Sequence, residues 1–312
     1  MWCYICMKVA LIGNGTQSKR IQKILDKKKI KYEIYTSSDK IIKKNDKKKF
    51  ENFSSIFVLT PINNHIEYLK FFNNKFIFCE KPPVNDLNSL KLLRKINFKK
   101  VYFNFNFRFS KLSQILNNRK KYKLGKILNI KIILSHGLAK KKEYFKNWRS
   151  NKKKCPTGVF EIVLIHYIDL INKYFGIKNF KSINLSNSSN CGTGYDTAEC
   201  DLVLNDGYSK ANLFATYNGP LIKKILLLFD NGVIEQNEDK IKINGPAKNF
   251  DSKGFFIKPK CIKYYKIGEK KDYEQSLEKS VTFFLESIKK NRTFKKKNFI
   301  RILKNSSYLK KL

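Results

Sequence analysis

Gly13-Asn14-Gly15-Thr16-Gln17-Ser18 stands between an apolar run ending at Ile12 and a helical pattern lasting to about Asp26. Glycines in a strand-to-helix turn let backbone approach a pyrophosphate, and the helix start offers free N–H groups with a partial positive charge. All six residues are therefore candidate dinucleotide contacts, Ser18 adding a hydroxymethyl group where the helix must pack closely on its sheet. At the end of the second strand, Lys31–Tyr35, an acid would bind the ribose 2′-hydroxyl of NAD. Here stand Thr36, Ser37 and Ser38, with Arg20 and Lys40 nearby in sequence. The missing acid and the available hydroxyls lean toward the 2′-phosphate of NADP, while Asp39 lies close enough to keep NAD open. Cys3-Tyr4-Ile5-Cys6 has CxxC spacing, but no second pair or Cys/His couple follows to complete a zinc site, so no metal is expected.

These residues need a frame. Apolar runs at Lys8–Ile12, Lys31–Tyr35, Ser55–Leu59, Lys75–Cys79 and Val101–Phe107 alternate with helical patterns, among them Asn64–Asn73 and Leu87–Lys95. Such alternation predicts an α/β domain, a Rossmann-type doubly wound parallel sheet covered on both faces. Beyond about Phe109 come a helix, a strand at Ile127–Ser135, a long helix over Gly158–Gly176 and several strands separated by turns such as Asp230-Asn231-Gly232. That pattern predicts an α+β domain with an open, mostly antiparallel sheet. Gly137–Lys154 and Gly245–Lys260 are expected to be mobile loops. The expected division is residues 1–108 for the dinucleotide-binding domain and 109–292 for a substrate-binding domain, with a basic closing helix at about 293–312 packing back on the first.

The chain of 312 residues is 42% hydrophobic and 14% aromatic, too apolar for a disordered chain. Lys and Arg number 65 against 25 acids, a formal net charge of +40, but only seven are Arg and the 58 Lys are spread over nearly every segment. Bidentate phosphate and base-edge contacts favour Arg, so the excess reads as a solvated surface that also suits an anionic substrate, and no nucleic-acid partner is expected. No apolar run spans a bilayer, no export signal precedes the first strand, and the odd count of seven cysteines suits reduced thiols, so the expected location is the cytoplasm.

Thr60-Pro61 through His65, Cys79-Glu80-Lys81-Pro82, Asn106-Phe107-Arg108-Phe109, Trp148-Arg149, and Gly158 through His166 to Asp169 follow in a fixed order. Over residues 8 to about 178 the chain resembles the Gfo/Idh/MocA family, the glucose-fructose oxidoreductase and inositol dehydrogenase type. The resemblance implies a nicotinamide cofactor lined by Thr60, Pro61 and His65 with Glu80 nearby, and Lys81 beside the hydride-transfer centre. A lysine held at a strand end can hydrogen-bond a substrate hydroxyl and stabilise a developing alkoxide. It further implies His166 as general base, with Asp169, Arg108, Trp148 and Arg149 as substrate contacts. The family commonly carries an acid four residues before this histidine; here that position is Ile162, and Glu161 beside it lies about 100° around an α-helix.

The function implied is an NAD(P)-dependent oxidoreductase moving a hydride between the cofactor and a sugar or nucleotide-sugar hydroxyl or carbonyl, in surface-polysaccharide biosynthesis, by a homo-oligomer formed through the C-terminal sheet. The alternative is a weakened or inactive relative serving as a cofactor-binding or assembly module, for which Ile162 and Ser18 are the evidence.

Overall fold

The computed structural model describes residues 7–39, 46–246 and 248–312. Cys3, Cys6 and Lys40 lie outside the described residues, as does the side chain of Ser37. The chain divides into two compact units, one comprising the residues up to Asn106 together with Ser276–Leu309, the other Phe107–Gln275 with Lys310–Leu312.

The first unit is built on β1 (Lys8–Ile12), β2 (Lys31–Tyr35), β3 (Ser55–Val58), β4 (Phe76–Glu80) and β5 (Val101–Asn104). They form one parallel sheet in the order β2-β1-β3-β4-β5. Continuous apolar runs make these strands because both faces are covered; β3 and β4 are buried at every position. The covering helices are α1 (Thr16–Lys27), α2 (His65–Phe71) and α3 (Leu87–Leu93). α1 turns Ser18, Ile21 and Leu25 inward, a spacing that keeps them on one helical face. α3 starts where Asp86 accepts from the Ser89 N–H at 2.8 Å.

The second unit begins with α4 (Lys111–Asn117) and β6 (Ile127–Ser135), then α5 (Ile165–Tyr174) and seven further strands. These are β7 (Ile177–Ser186), β8 (Thr197–Leu204), β9 (Lys210–Thr216), β10 (Ile222–Phe229), β11 (Gly232–Asn237), β12 (Lys240–Asn244) and β13 (Cys261–Lys266). All eight make one sheet in the order β13-β12-β11-β10-β6-β9-β8-β7. Only the β6–β9 pair is parallel. Inward residues such as Ile130, Ile132, Leu213 and Leu227 alternate with more exposed ones, polar at Lys131 and Asn212 and apolar at Phe214, Leu226 and Leu228, the period a one-sided core demands. The stretch expected as a mobile loop at 137–154 is folded into short 3-10 turns that bury Ala139, Tyr144 and Ser150.

Two helices close the chain, α6 (Glu269–Lys289) and α7 (Lys296–Asn305). In the first unit Phe284 of α6 meets Phe57 and Phe78 edge-on at 5.3 and 5.4 Å, and Phe299 of α7 stacks on Phe98 at 5.4 Å. The fully buried rings of Phe57, Phe78 and Phe284 contribute about 1.5–3 kcal/mol each. The long helix expected over 158–176 is not uniformly α-helical: Phe160–Leu164 form a π turn before α5 begins.

Candidate functional site

In the first unit the glycine turn follows β1 as a dinucleotide site requires. Gly13 has φ +110°, and a Cβ there would lie 2.7 Å from the Leu59 carbonyl oxygen at the end of β3. Its N–H donates to Tyr35 O at 2.7 Å, so Gly13 is wedged between the ends of β2 and β3 where only glycine fits. Gly15 caps α1 with open space around it, with no side-chain cap and no acid in the first turn. The helix start therefore keeps backbone donors for an anion. Ser18 is accommodated by burial, its hydroxyl accepting from Gln22 Nε2 at 3.1 Å, and the same amide reaches Asn14 Oδ1 at 3.3 Å.

Beyond β2 the structure supplies an acid that the strand-end sequence lacks. Asp39 Oδ2 accepts from the Thr36 N–H at 2.6 Å and from Thr36 Oγ1 at 3.2 Å, while Thr36 and Ser38 hydroxyls meet at 2.5 Å. The donors thought available to a 2′-phosphate are thus engaged by a carboxylate.

Thr60 and Pro61 lead from β3 into a 3-10 turn, and His65 opens α2. His65 is 1% exposed, with Nδ1 3.0 Å from Pro82 O and Nε2 3.0 Å from Thr60 O. The ring lies between the Thr60 loop and the Lys81-Pro82 turn, whose peptide is cis, and in its neutral form donates its single N–H to one of the two carbonyls. The carbonyls favour the imidazolium, but burial outweighs them and lowers the pKa to about 4, so the ring is neutral at neutral pH. Asn85 Nδ2 donates to Asn63 Oδ1 at 2.6 Å, a direct tie between the same loops.

Glu80 ends β4 almost fully buried and accepts from Asn104 Nδ2 at 2.7 Å. Burial raises its pKa; hydrogen bonds from Asn104 and Gln17 and the charge of Lys81 oppose that rise. Lys81 follows at the strand end, between this carboxyl and Pro82.

The second unit carries the other candidates. His166 on α5 is 8% exposed and stacks on Phe107 with centroids 4.3 Å apart. Arg108 and Asp169, expected as substrate contacts, grip each other: Nε and Nη2 reach the two carboxylate oxygens at 2.6 Å each. Trp148 remains exposed with the Arg149 guanidinium 4.4 Å from its ring.

The π turn changes the expectation at Ile162. A π turn bonds residue i to i+5 and takes rotation out of the helix, so the regular α-helical angles from which Ile162 and Glu161 were placed relative to His166 do not hold across Phe160–Leu164. Glu161 is fully buried and accepts from Thr157 Oγ1 at 2.9 Å, whereas Ile162 is only half-buried. Around it lie Cys155, whose thiol is pushed up by burial and by Glu161, and Tyr217, whose hydroxyl is pushed up chiefly by burial and in part by Glu161. Sequence reasoning missed Asn104, which acts through partners that only the fold supplies; it noted Asp39 and Glu161 but not the Thr36 contacts of the one or the π turn and Thr157 bond of the other, which nothing in residue spacing marks. Among the described residues no group of His, Cys, Asp and Glu could hold a metal ion.

No family model matches the sequence, and no curated protein matches it either. Solved structures do match the fold. Levoglucosan dehydrogenase in complex with NADH gives a TM-score of 0.75 at 15% identity, covering 98% of this chain and 95% of that one. An oxidoreductase from Agrobacterium radiobacter, in complex with NAD+, L-tartaric acid and magnesium, gives 0.73 at 14% identity, with 98% and 94% covered. A myo-inositol dehydrogenase from Corynebacterium glutamicum gives 0.68 at 14% identity, with 98% and 96% covered. The fold implied by the Gfo/Idh/MocA resemblance, a parallel Rossmann sheet followed by a large, mostly antiparallel one, is the fold this chain has.

Proposed function

We propose that the protein is an NAD(P)-dependent oxidoreductase of the Gfo/Idh/MocA type acting on a CH–OH group of a sugar or sugar derivative. The observation that carries this reading is the glycine turn: Gly13 fits only as glycine, and α1 starts with neither cap nor acid. Support comes from solved structures of the same fold that contain NADH or NAD+. The residues present suit the cofactor. Gly13, Asn14, Gly15 and Thr16 would hold the pyrophosphate, Thr36 and Asp39 the adenosine ribose, and Thr60 and Pro61 the nicotinamide end, with His65 keeping that loop in place. The cofactor, when bound, supplies or accepts the hydride.

Lys81 is assigned the polarising role, its ammonium donating to the oxygen on which negative charge develops. His166 is assigned the proton: a neutral imidazole takes it from a hydroxyl as the carbon is oxidised and returns it in reduction. Arg108 and Asp169 orient the helix that carries His166. Exposed Trp148 and half-buried Arg149, among the lysines of 137–155, suit the anionic part of a nucleotide sugar and hence a place in surface-polysaccharide synthesis. The half-exposed Ile133, Phe214 and Leu226, with exposed Leu228, on the outer face of the large sheet suit a homo-oligomer. A cytoplasmic location accords with the free thiols of Cys79, Cys155, Cys191, Cys200 and Cys261. Among the described residues no helix is long and apolar enough to cross a membrane.

The test follows nicotinamide absorbance while sugars and nucleotide sugars are screened with both dinucleotides. Turnover is expected with at least one substrate, falling by about two to four orders of magnitude in Lys81→Ala. Near-normal turnover in that variant would remove Lys81 from the reaction.

A further inference from the structure

A chain of hydrogen bonds runs through the first unit to Glu80. Tyr102 OH lies 2.8 Å from Ser280 Oγ, Ser280 Oγ donates to Asn104 Oδ1 at 2.7 Å, and Asn104 Nδ2 donates to Glu80 Oε1 at 2.7 Å. Tyr102, Asn104 and Ser280 are 6%, 1% and 0% exposed, so these groups are shielded from solvent competition. The direction of the chain follows from proton counts. Ser280 has one hydroxyl proton and gives it to Asn104 Oδ1, so its oxygen accepts from Tyr102. The Asn104 amide, with its oxygen engaged, presents only protons to Glu80. A carboxylate oxygen accepts them, and a carboxyl protonated at that oxygen does not. The opposite direction requires the amide turned over and Glu80 donating to it.

We propose that Asn104 is a positioning residue: through Tyr102 and Ser280 it holds Glu80 as a carboxylate beside Lys81, giving the lysine a fixed negative neighbour. What that pair does rests on the oxidoreductase reading, whereas the acceptor role of Glu80 Oε1 rests on hydrogen-bond geometry, and a second donor from Gln17 favours the charged form over an acid protonated at Oε2. Gln17 reinforces the arrangement. Its Oε1 accepts from Arg20 at 3.2 Å, which turns its amide protons toward Glu80, and this second donor comes from the first turn of α1. The groups facing Glu80 are Cys79 and Lys81 from its own segment, Gln17 from α1 and Asn104 from β5, with Ser280 of α6 behind Asn104. Burial keeps the Cys79 thiol protonated, so Lys81 is the charged group among them. Burial works against the carboxylate and the two amides and Lys81 work for it.

The experiment is a pH titration of the Glu80 side-chain carboxyl by carbon NMR in the full chain with labelled glutamate, the resonance assigned by its loss in Glu80→Gln. Asn104→Leu keeps the approximate volume and removes the donor. Its midpoint is expected to rise by about one pH unit or more, because a hydrogen bond to a charged group is worth at least that. Asn104→Ser, which retains a hydroxyl donor, is expected to move it less, and the acid limb of turnover should rise with the midpoint. An unchanged midpoint in folded Asn104→Leu would overturn the proposal. If that variant does not fold, Ser280→Ala carries the test: a smaller rise supports the chain and no change overturns it. A raised midpoint in a protein that binds no dinucleotide supports the chain and removes the oxidoreductase reading, so the two failures are distinguishable.

Discussion

Arg108 and Asp169 are joined by two hydrogen bonds of 2.6 Å, one to each carboxylate oxygen, with the side chains 13% and 1% exposed. Asp169 lies three residues after His166 on α5, so the pair fixes the rotation of the segment that presents the histidine. Removing one partner takes both of these bonds away from a buried charge, at a cost of about 3–5 kcal/mol. Arg108→Met is therefore expected to lower unfolding stability in urea by that amount, and the double variant Arg108→Met/Asp169→Leu to recover part of it. A single variant as stable as wild type would show that the pair does not anchor the helix.

Asp39 makes a prediction about the cofactor. Its carboxylate holds the Thr36 N–H and hydroxyl, and negative charge there repels a 2′-phosphate. NADH is expected to bind about tenfold tighter than NADPH or better, a difference of about 1.4 kcal/mol, and Asp39→Ser to narrow the gap. Calorimetric titration measures both. Preference for NADPH in the wild type would mean that Asp39 faces away from the ribose.

His65 links stability to acid. Its folded pKa of about 4 lies below the ordinary 6.5, so between those values the unfolded chain binds the extra proton. Its contribution is fully present above pH 6.5 and is lost as pH falls toward 4, about 3 kcal/mol in all. The stability difference between wild type and His65→Asn, from urea curves at pH 7 and pH 4.5, should narrow at the lower pH. A constant difference would indicate that the ring is charged in the folded protein.

The π turn separates two neighbouring residues by role. With Ile162 half-buried and Glu161 fully buried, Ile162→Asp should leave the pH–rate profile in place, whereas Glu161→Gln should move it. Kinetics of both variants on one substrate decide the matter. A shift from Ile162→Asp with none from Glu161→Gln would restore a regular α-helical register.

What the sequence made legible was whatever depends on local pattern. Both sheets, the glycine turn and the strand-end position of Lys81 follow from apolar period and turn residues that lie next to each other in the chain. Three features escaped because their causes are distant or conformational. Gly158–Gly176 has the apolar content of a helix throughout, and one wide turn at Phe160–Leu164 breaks its α-helical register without any marker residue. Arg108 and Asp169 each looked available to a substrate because their attraction spans sixty-one residues. β7 and β13 were hidden because these edge strands carry exposed lysines, with asparagines in β7, which weaken the alternation by which strands are recognised.

The central claim is that the turn after β1 holds a dinucleotide, and a fluorescence titration of the full chain with NADH measures it most directly. The account predicts saturable binding in the wild type, lost in Gly13→Val, whose side chain meets the Leu59 carbonyl, and lost in Gly15→Asp, which sets a carboxylate at the helix start. A wild-type chain that binds neither NADH nor NADPH, or a Gly15→Asp variant that binds as tightly as wild type, would contradict it.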